Sequence, residues 1–264
     1  MSFFQSILLG VMQGISEFLP ISSSGHLVVM RAVMRIENIP VLYDVILHIA
    51  TLLVVMVYFR KRIFRILAAL LRWVSRSTID GDDHHVRLAG IILAATVMTG
   101  GIGLAISGME LHAAPKLVSS MFLLTAVLLI AAHFVRNSRQ DVPIQLHQGI
   151  IVGIVQGLAA IPGISRSGST IAASLYSGVS REHAAEFSFL ISIPAVFGAL
   201  LLELRDISGL SLVVSPAAMV GGFLASLIVG YFSIILLVKL LHDGRLWVFS
   251  IYLIPLGVWG LFAL

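Results

Sequence analysis

Long stretches without a single Asp, Glu, Lys or Arg constrain this chain more than any other feature. Leu88 to Met109, Val213 to Val238 and Leu246 to Leu264 contain none. A helix crosses a bilayer when about 20 largely apolar residues are in line, and in lipid each backbone N–H and C=O must be satisfied inside the segment. Val41 to Phe59 is apolar apart from Asp44 and His48, and Leu117 to Val135 carries only His133. Phe187 to Leu202 extends back through Glu182, His183 and Glu186. Six membrane-spanning helices are expected in an all-α, polytopic membrane protein.

Composition agrees. Of 264 residues, 58% are hydrophobic and 11% charged, against about 25% charged in an ordinary soluble domain. The net charge of +4 comes from arginines in short runs between apolar segments. That pattern points to loops beside anionic lipid and away from a nucleic-acid partner. Without cysteine there is no disulfide framework and no Cys-based metal or redox site. The first Lys or Arg is Arg31, so the basic start of a cleaved signal is missing and the opening segment is expected to stay in the mature protein.

Two further apolar stretches are broken. Phe3 to Ala32 is interrupted at Pro20 and followed by Ser22-Ser23-Ser24-Gly25-His26; Gln148 to Ser177 is interrupted at Pro162-Gly163 and followed by Ser165-Arg166-Ser167-Gly168. Neither half spans alone, so each reads as a re-entrant helix pair, over residues 3–35 and 147–178. The two are copies in one register: Gln13-Gly14 matches Gln156-Gly157 and Ser22-x-Ser24-Gly25 matches Ser165-x-Ser167-Gly168, at an offset of 143 throughout. One membrane domain of two repeats is expected, about 1–135 and about 144–264. Three spans between the hairpins invert the second copy, and paired interrupted segments of this kind point to a site near the midplane.

The loop after Phe59 carries Arg60, Lys61, Arg62, Arg65, Arg72 and Arg76 and is expected to face the cytoplasm. Arg136, Arg139, Arg181, Lys239 and Arg245 fall on that side too, while the loops near Glu110 and Asp206 fall outside with both termini.

Glu17 and Arg166 stand out as ionisable residues within the broken segments, where each costs several kcal/mol, about 2.5–3.5 for Arg at a helix centre. The bland readings are a shallow, snorkelling Glu17 and an Arg166 that simply pairs with it. The flanking hydroxyls favour chemistry instead. One of the serines at 22–24 serves as an N-cap, but three serines with His26 a turn on also make an anion site at a helix N-terminus. A hydroxyl near an imidazole and a carboxylate has the parts for nucleophilic attack, and Arg166 offers a rigid fork that fits phosphate oxygens.

Gln13-x-x-x-Glu17-Phe-Leu-Pro-Ile-Ser22-Ser23-Ser24-Gly25-His26 resembles the first signature of the undecaprenyl-diphosphatase (bacitracin-resistance) family, and Pro162-Gly163-Ile-Ser165-Arg166-Ser167-Gly168-Ser169-Thr170 its second. Tyr43 to Thr51 and Ala185 to Phe189 resemble the segments that follow them, so the likeness covers essentially the whole chain. It implies dephosphorylation of undecaprenyl diphosphate to the monophosphate carrier of cell-wall synthesis, in the bacterial inner membrane, with bacitracin resistance as a consequence. It also implies a divalent metal, Mg2+ or Ca2+, held by Glu17 and Gln13. Glu17, Ser23, His26 and Arg166 are the implied catalytic residues; Gln13, Ser22, Ser24, Ser165, Ser167 and Thr170 the implied substrate-binding ones. Position 13 is Gln where some members have Glu, and an amide can bind metal or phosphate but cannot act as a base.

The expected partners are a polyprenyl diphosphate and membrane lipids; a homodimer is compatible with the sequence. The diphosphate is expected to enter from the outer face. Ser23 then attacks with His26 as proton carrier, or metal-activated water attacks with Ser23 positioning the substrate. A second functional class, a transporter of lipid phosphates, fits the inverted repeat but needs no nucleophile beside a base. Asp44 and His48, spaced i, i+4 on one face, line the cavity or pair with each other, and the second reading is preferred. For His84-His85 a solvated polar loop is preferred to a metal site. His112, His133, His147, His183 and His242, with Trp73, Trp247 and Trp259, fit interfacial positions.

Overall fold

The computed structural model describes residues 1–36, 39, 41–107, 115–135, 143–203 and 214–263, and all regular structure in them is helical. In chain order the helices are α1 (Phe3–Phe18), α2 (Ser23–Val33), α3 (Val41–Tyr58), α4 (Arg60–Val74), α5 (Asp82–Ser107), α6 (Pro115–His133), α7 (Leu146–Leu158), α8 (Arg166–Tyr176), α9 (Arg181–Glu203), α10 (Pro216–His242) and α11 (Val248–Ala263). Local signals set several ends. Ser2 and Gln5 cap α1 reciprocally, and Ser215 caps α10 ahead of Pro216, whose missing N–H costs nothing in a first turn.

Four of the six expected spans have spanning length and composition: Asp82–Ile106, Pro115–His133, Arg181–Leu202 and Pro216–His242. α3 passes the same test only together with α4, from which it is bent by 77°. α11 has 16 residues, about 24 Å at 1.5 Å per residue. Met109, Glu110, His112, Arg136, Arg139, Asp206, Val213 and Leu264 lie outside the described residues.

Two expected loops are helical. The basic run after Phe59 is α4, and Asp82–His85 form the first turn of α5. The charge run obscured the period of α4. Phe64, Leu67, Leu71 and Val74 follow at i, i+3, i+7 and i+10 and are exposed, while Ile66 and Ala69 on another face are buried. Arg72 and Asp82 then tie α4 to the start of α5 through two hydrogen bonds of 2.6 and 2.8 Å.

Both broken segments fold as helix pairs whose members touch, α1 with α2 and α7 with α8. Each first helix lies along a long helix from the other half, α1 on α10 and α7 on α5. The seams are made by Gly10-x-x-x-Gly14 and Gly153-x-x-x-Gly157, a spacing that lets helix backbones approach closely. A Cβ on Gly10 would meet the backbone of Gly222, and one on Gly14 would lie 2.8 Å from the Ser226 carbonyl oxygen and 3.0 Å from Val229 Cβ. A Cβ on Gly153 would lie 2.6 Å from Ala95 Cα, and one on Gly157 3.2 Å from the Thr99 carbonyl oxygen and 2.7 Å from Ile102 Cβ. The residues met, 222, 226 and 229 against 95, 99 and 102, keep one offset of 127. The two seams therefore share a register in their partners as well as in themselves.

This seam predicts that Gly153→Val lowers thermal stability of the detergent-purified protein by about 1–3 kcal/mol, the usual cost of overpacking. Gly90→Ala on exposed α5 surface, where a Cβ meets nothing within 4 Å, should be neutral or stabilising. Equal melting points for Gly153→Val and wild type would show that the α5–α7 seam is not close-packed.

Candidate active site

The site is assembled where α1 ends, α2 begins and α8 begins. Gln13 and Glu17 are one turn apart on α1, both buried. Pro20 follows, and Ser22 turns the chain with φ 73°, a left-handed conformation that costs a non-glycine residue about 1–3 kcal/mol and gathers at functional sites. Its side chain caps α2 by accepting from the Gly25 amide, which points Ser23 back at Glu17. Ser23 is partly exposed, and its hydroxyl donates to Glu17 Oε2 at 2.5 Å. Gln13 Nε2 donates to the same oxygen at 3.1 Å. The other oxygen, Oε1, accepts from Arg166 Nη2.

Arg166 opens α8 in the second hairpin. Ser165 caps that helix, accepting from Gly168 N at 3.1 Å, while its own amide donates to Thr125 Oγ1 on α6 at 3.1 Å. The match to the first hairpin is close: Ser22 and Ser24 hydroxyls lie 3.5 Å apart, Ser165 and Ser167 hydroxyls 3.4 Å. Capping serves one amide per helix; the first N–H groups of α2 and α8 have no intrahelical acceptor and suit an anion. Thr170 is occupied elsewhere, donating to the Arg166 carbonyl at 2.8 Å and sharing a 2.5 Å hydrogen bond with Ser188 on α9. It fixes α8 to α9.

The structure corrects two readings. Both ring nitrogens of His26, expected to carry a proton for Ser23, have other partners: Nδ1 lies 2.8 Å from the Ser22 carbonyl oxygen and Nε2 2.9 Å from the Tyr252 hydroxyl. A carbonyl only accepts, so Nδ1 donates to it, while Nε2 shares its hydrogen bond with the Tyr252 hydroxyl. Its ring is stacked on Tyr252 and packed against Phe122, with centroids 5.6 and 5.1 Å away. Nor do Asp44 and His48 pair through their side chains. Asp44 takes Arg31 of α2, and His48, held by Nδ1 on the Asp44 carbonyl at 2.7 Å, presents Nε2 to Glu17 Oε2 at 3.5 Å. The imidazole at the carboxylate is thus His48. An ionisable residue inside an apolar span was the signal for it; Tyr252, one aromatic in an apolar run, gave none.

Glu17, Gln13 and Ser23 also bear on a metal. Gln13 Oε1 is buried with no hydrogen-bond partner among the described residues. With the Glu17 carboxylate it offers two hard oxygen donors, a set that suits Mg2+ or Ca2+ completed by phosphate oxygens. No group of three or more His, Cys, Asp or Glu able to hold a metal occurs among the described residues.

The sequence pattern of the family described as "Bacitracin resistance protein BacA" matches residues 6–259. The chain belongs to this family. Among curated relatives, one from Treponema denticola named undecaprenyl-diphosphatase is 43% identical over 98% of this chain and 96% of its own length. Proteins of the same name from Borrelia hermsii and Methanosphaera stadtmanae are 40% and 41% identical, each over at least 95% of this chain and 94% of their own. The relatives' name favours a hydrolase over a lipid carrier. Within this BacA-family chain, the structure unites Gln13, Glu17, Ser23 and Arg166 directly, adds His48, and engages His26 with the Ser22 carbonyl and Tyr252 instead.

The pairing of buried Glu17 with part-buried Arg166 yields a stability prediction. Glu17→Leu leaves Arg166 without its counter-ion and should cost about 3–5 kcal/mol, whereas Glu17→Leu with Arg166→Leu should recover most of it. Unfolding of the purified single and double variants measures this. A double variant as unstable as the single one would mean the two residues do not depend on each other.

Proposed function

We propose that this chain hydrolyses undecaprenyl diphosphate to undecaprenyl phosphate and phosphate at the Glu17–Ser23–Arg166 cluster. The observation that carries this reading is the 2.5 Å hydrogen bond from the Ser23 hydroxyl to a Glu17 carboxylate that also pairs with Arg166 of the other hairpin. That carboxylate is placed to take the proton as Ser23 Oγ attacks the terminal phosphorus. The Oγ–P bond forms, the bond from phosphorus to the bridging oxygen breaks, and the electron pair leaves with the prenyl phosphate; water then releases phosphate from Ser23. Arg166 has five N–H donors and spends few on Glu17, so the rest can orient phosphate oxygens. Amides at the starts of α2 and α8, with Ser24 and Ser167 beside them, add donors.

His26 acts as a positioning residue, holding the Ser22 carbonyl and so the strained turn that aims Ser23. A divalent cation at Gln13 and Glu17 would supply charge neutralisation on the diphosphate. The matched seams support two hairpins of inverted topology in repeats of about 1–135 and 144–264. The Arg60–Arg76 region is read as cytoplasmic, which opens the site towards the outer face of the inner membrane.

The test is phosphate release from C55 and C15 diphosphates by the purified protein in detergent, with Mg2+ or Ca2+. Glu17→Gln, Ser23→Ala and Arg166→Ala should each lose at least about 100-fold in kcat/KM, the range for a lost acid–base or charge-stabilising group. EDTA should abolish release and either cation restore it. A wild type that releases nothing would overturn the hydrolase; Ser23→Ala at wild-type rate would overturn the covalent route alone.

A further inference from the structure

A second polar site lies far along α3 from Glu17, where α3 ends, α4 turns away by 77° and α9 begins. An open cleft of about 400 Å³ there is lined by Arg60, Lys61, Arg62, Arg65 and Glu186, together with Tyr58 and Phe59. Four cations face one carboxylate. That carboxylate is already engaged: Glu186 Oε1 lies 2.6 Å from Arg62 Nε, and the Arg62 side chain is 18% exposed. Arg62 is therefore a fixed wall, and Arg60, Lys61 and Arg65 remain as excess positive charge in a concave space.

The helix that carries them is amphipathic in a particular way. Phe64, Leu67, Leu71 and Val74 form an exposed apolar stripe, with Phe64 72% and Leu71 71% exposed. Lys61 and Arg65, one turn apart, run along the flank of that stripe. Basic residues beside an apolar face are the pattern of a helix that lies in the headgroup plane, and basic pockets between spanning helices take anionic lipid headgroups. Neither the Glu17 cluster nor diphosphate hydrolysis uses any of these residues.

We propose that this cleft binds the phosphate of an anionic phospholipid, whose acyl chains lie along the Phe64–Val74 stripe of α4. Lys61 and Arg65 contact the phosphate with Arg60, while the Arg62–Glu186 pair holds α4 against α9 and keeps the cleft open. The apolar stripe beside the cations selects a lipid over free phosphate, because a free anion has no use for it.

The experiment is native mass spectrometry of the full-length, detergent-purified protein with phosphatidylglycerol, phosphatidylcholine, glycerophosphate or inorganic phosphate as probe. Wild type should retain phosphatidylglycerol in preference to phosphatidylcholine. Arg60→Gln/Lys61→Gln/Arg65→Gln should bind it about a hundred-fold more weakly, and Phe64→Ser/Leu71→Ser should weaken the lipid but not glycerophosphate. Arg35→Gln/Arg245→Gln, which removes charge elsewhere, should leave retention unchanged. Unaltered phosphate release by the cleft variants reports that they fold; should the triple variant fail, Lys61→Gln/Arg65→Gln serves. Equal retention of both lipids by wild type, or retention unchanged in the folded cleft variants, overturns the proposal. Glycerophosphate or inorganic phosphate binding as tightly as the lipid would identify a free-phosphate site and overturn it equally.

Discussion

One ion pair inside an apolar bundle organises everything else. Glu17 and Arg166 are 149 residues apart in sequence and belong to different hairpins. Either charge alone in such surroundings would be prohibitively expensive. Together, with Ser23 and Gln13 completing the carboxylate's hydrogen bonds, they satisfy one another. The two broken helices must then meet, and the glycines along α1 and α7 let α10 and α5 come close enough for that meeting.

Elsewhere the bundle uses the same economy of charge without the chemistry. Arg31 with Asp44 joins α2 to α3, Arg62 with Glu186 joins α4 to α9, and Arg72 with Asp82 joins α4 to α5. Each is a cross-element clasp. The Glu17–Arg166 pair differs in its company: a partly exposed hydroxyl on the carboxylate, an imidazole 3.5 Å away, an amide oxygen with no partner among the described residues, and two helix starts. Those additions are what set this pair apart from the other clasps.

Much of this was readable from the chain. Charge-free runs specify spanning helices because lipid tolerates little else, and the doubled Gln-Gly and Ser-x-Ser-Gly pattern marked the two breaks that meet, because a break must be repaid by function or packing. Glu17, Ser23 and Arg166 came together as the pattern implied. What could not be read were distances across helices. Asp44 and His48 share a face, which spacing reveals, but Arg31 draws one away and Glu17 the other, which spacing does not. The ties of His26 to Tyr252, and of Ser165 to Thr125, depend on how α11 and α6 pack. α4 was hidden for a different reason: its arginines mask an apolar stripe that shows only when positions are counted around the helix.

The common register of the hairpins has an evolutionary corollary. Positions 23 and 166 are counterparts under the 143-residue offset, as are Glu17 and Ala160, and His26 and Ser169. A symmetric assembly of two identical halves would place two hydroxyls or two guanidiniums at that shared position, never one of each. A hydroxyl on one side and a guanidinium on the other can be specialised only when both halves are encoded in tandem and free to drift apart. One polypeptide thus gains a single polarised centre by giving up the twin centres that symmetry would have offered.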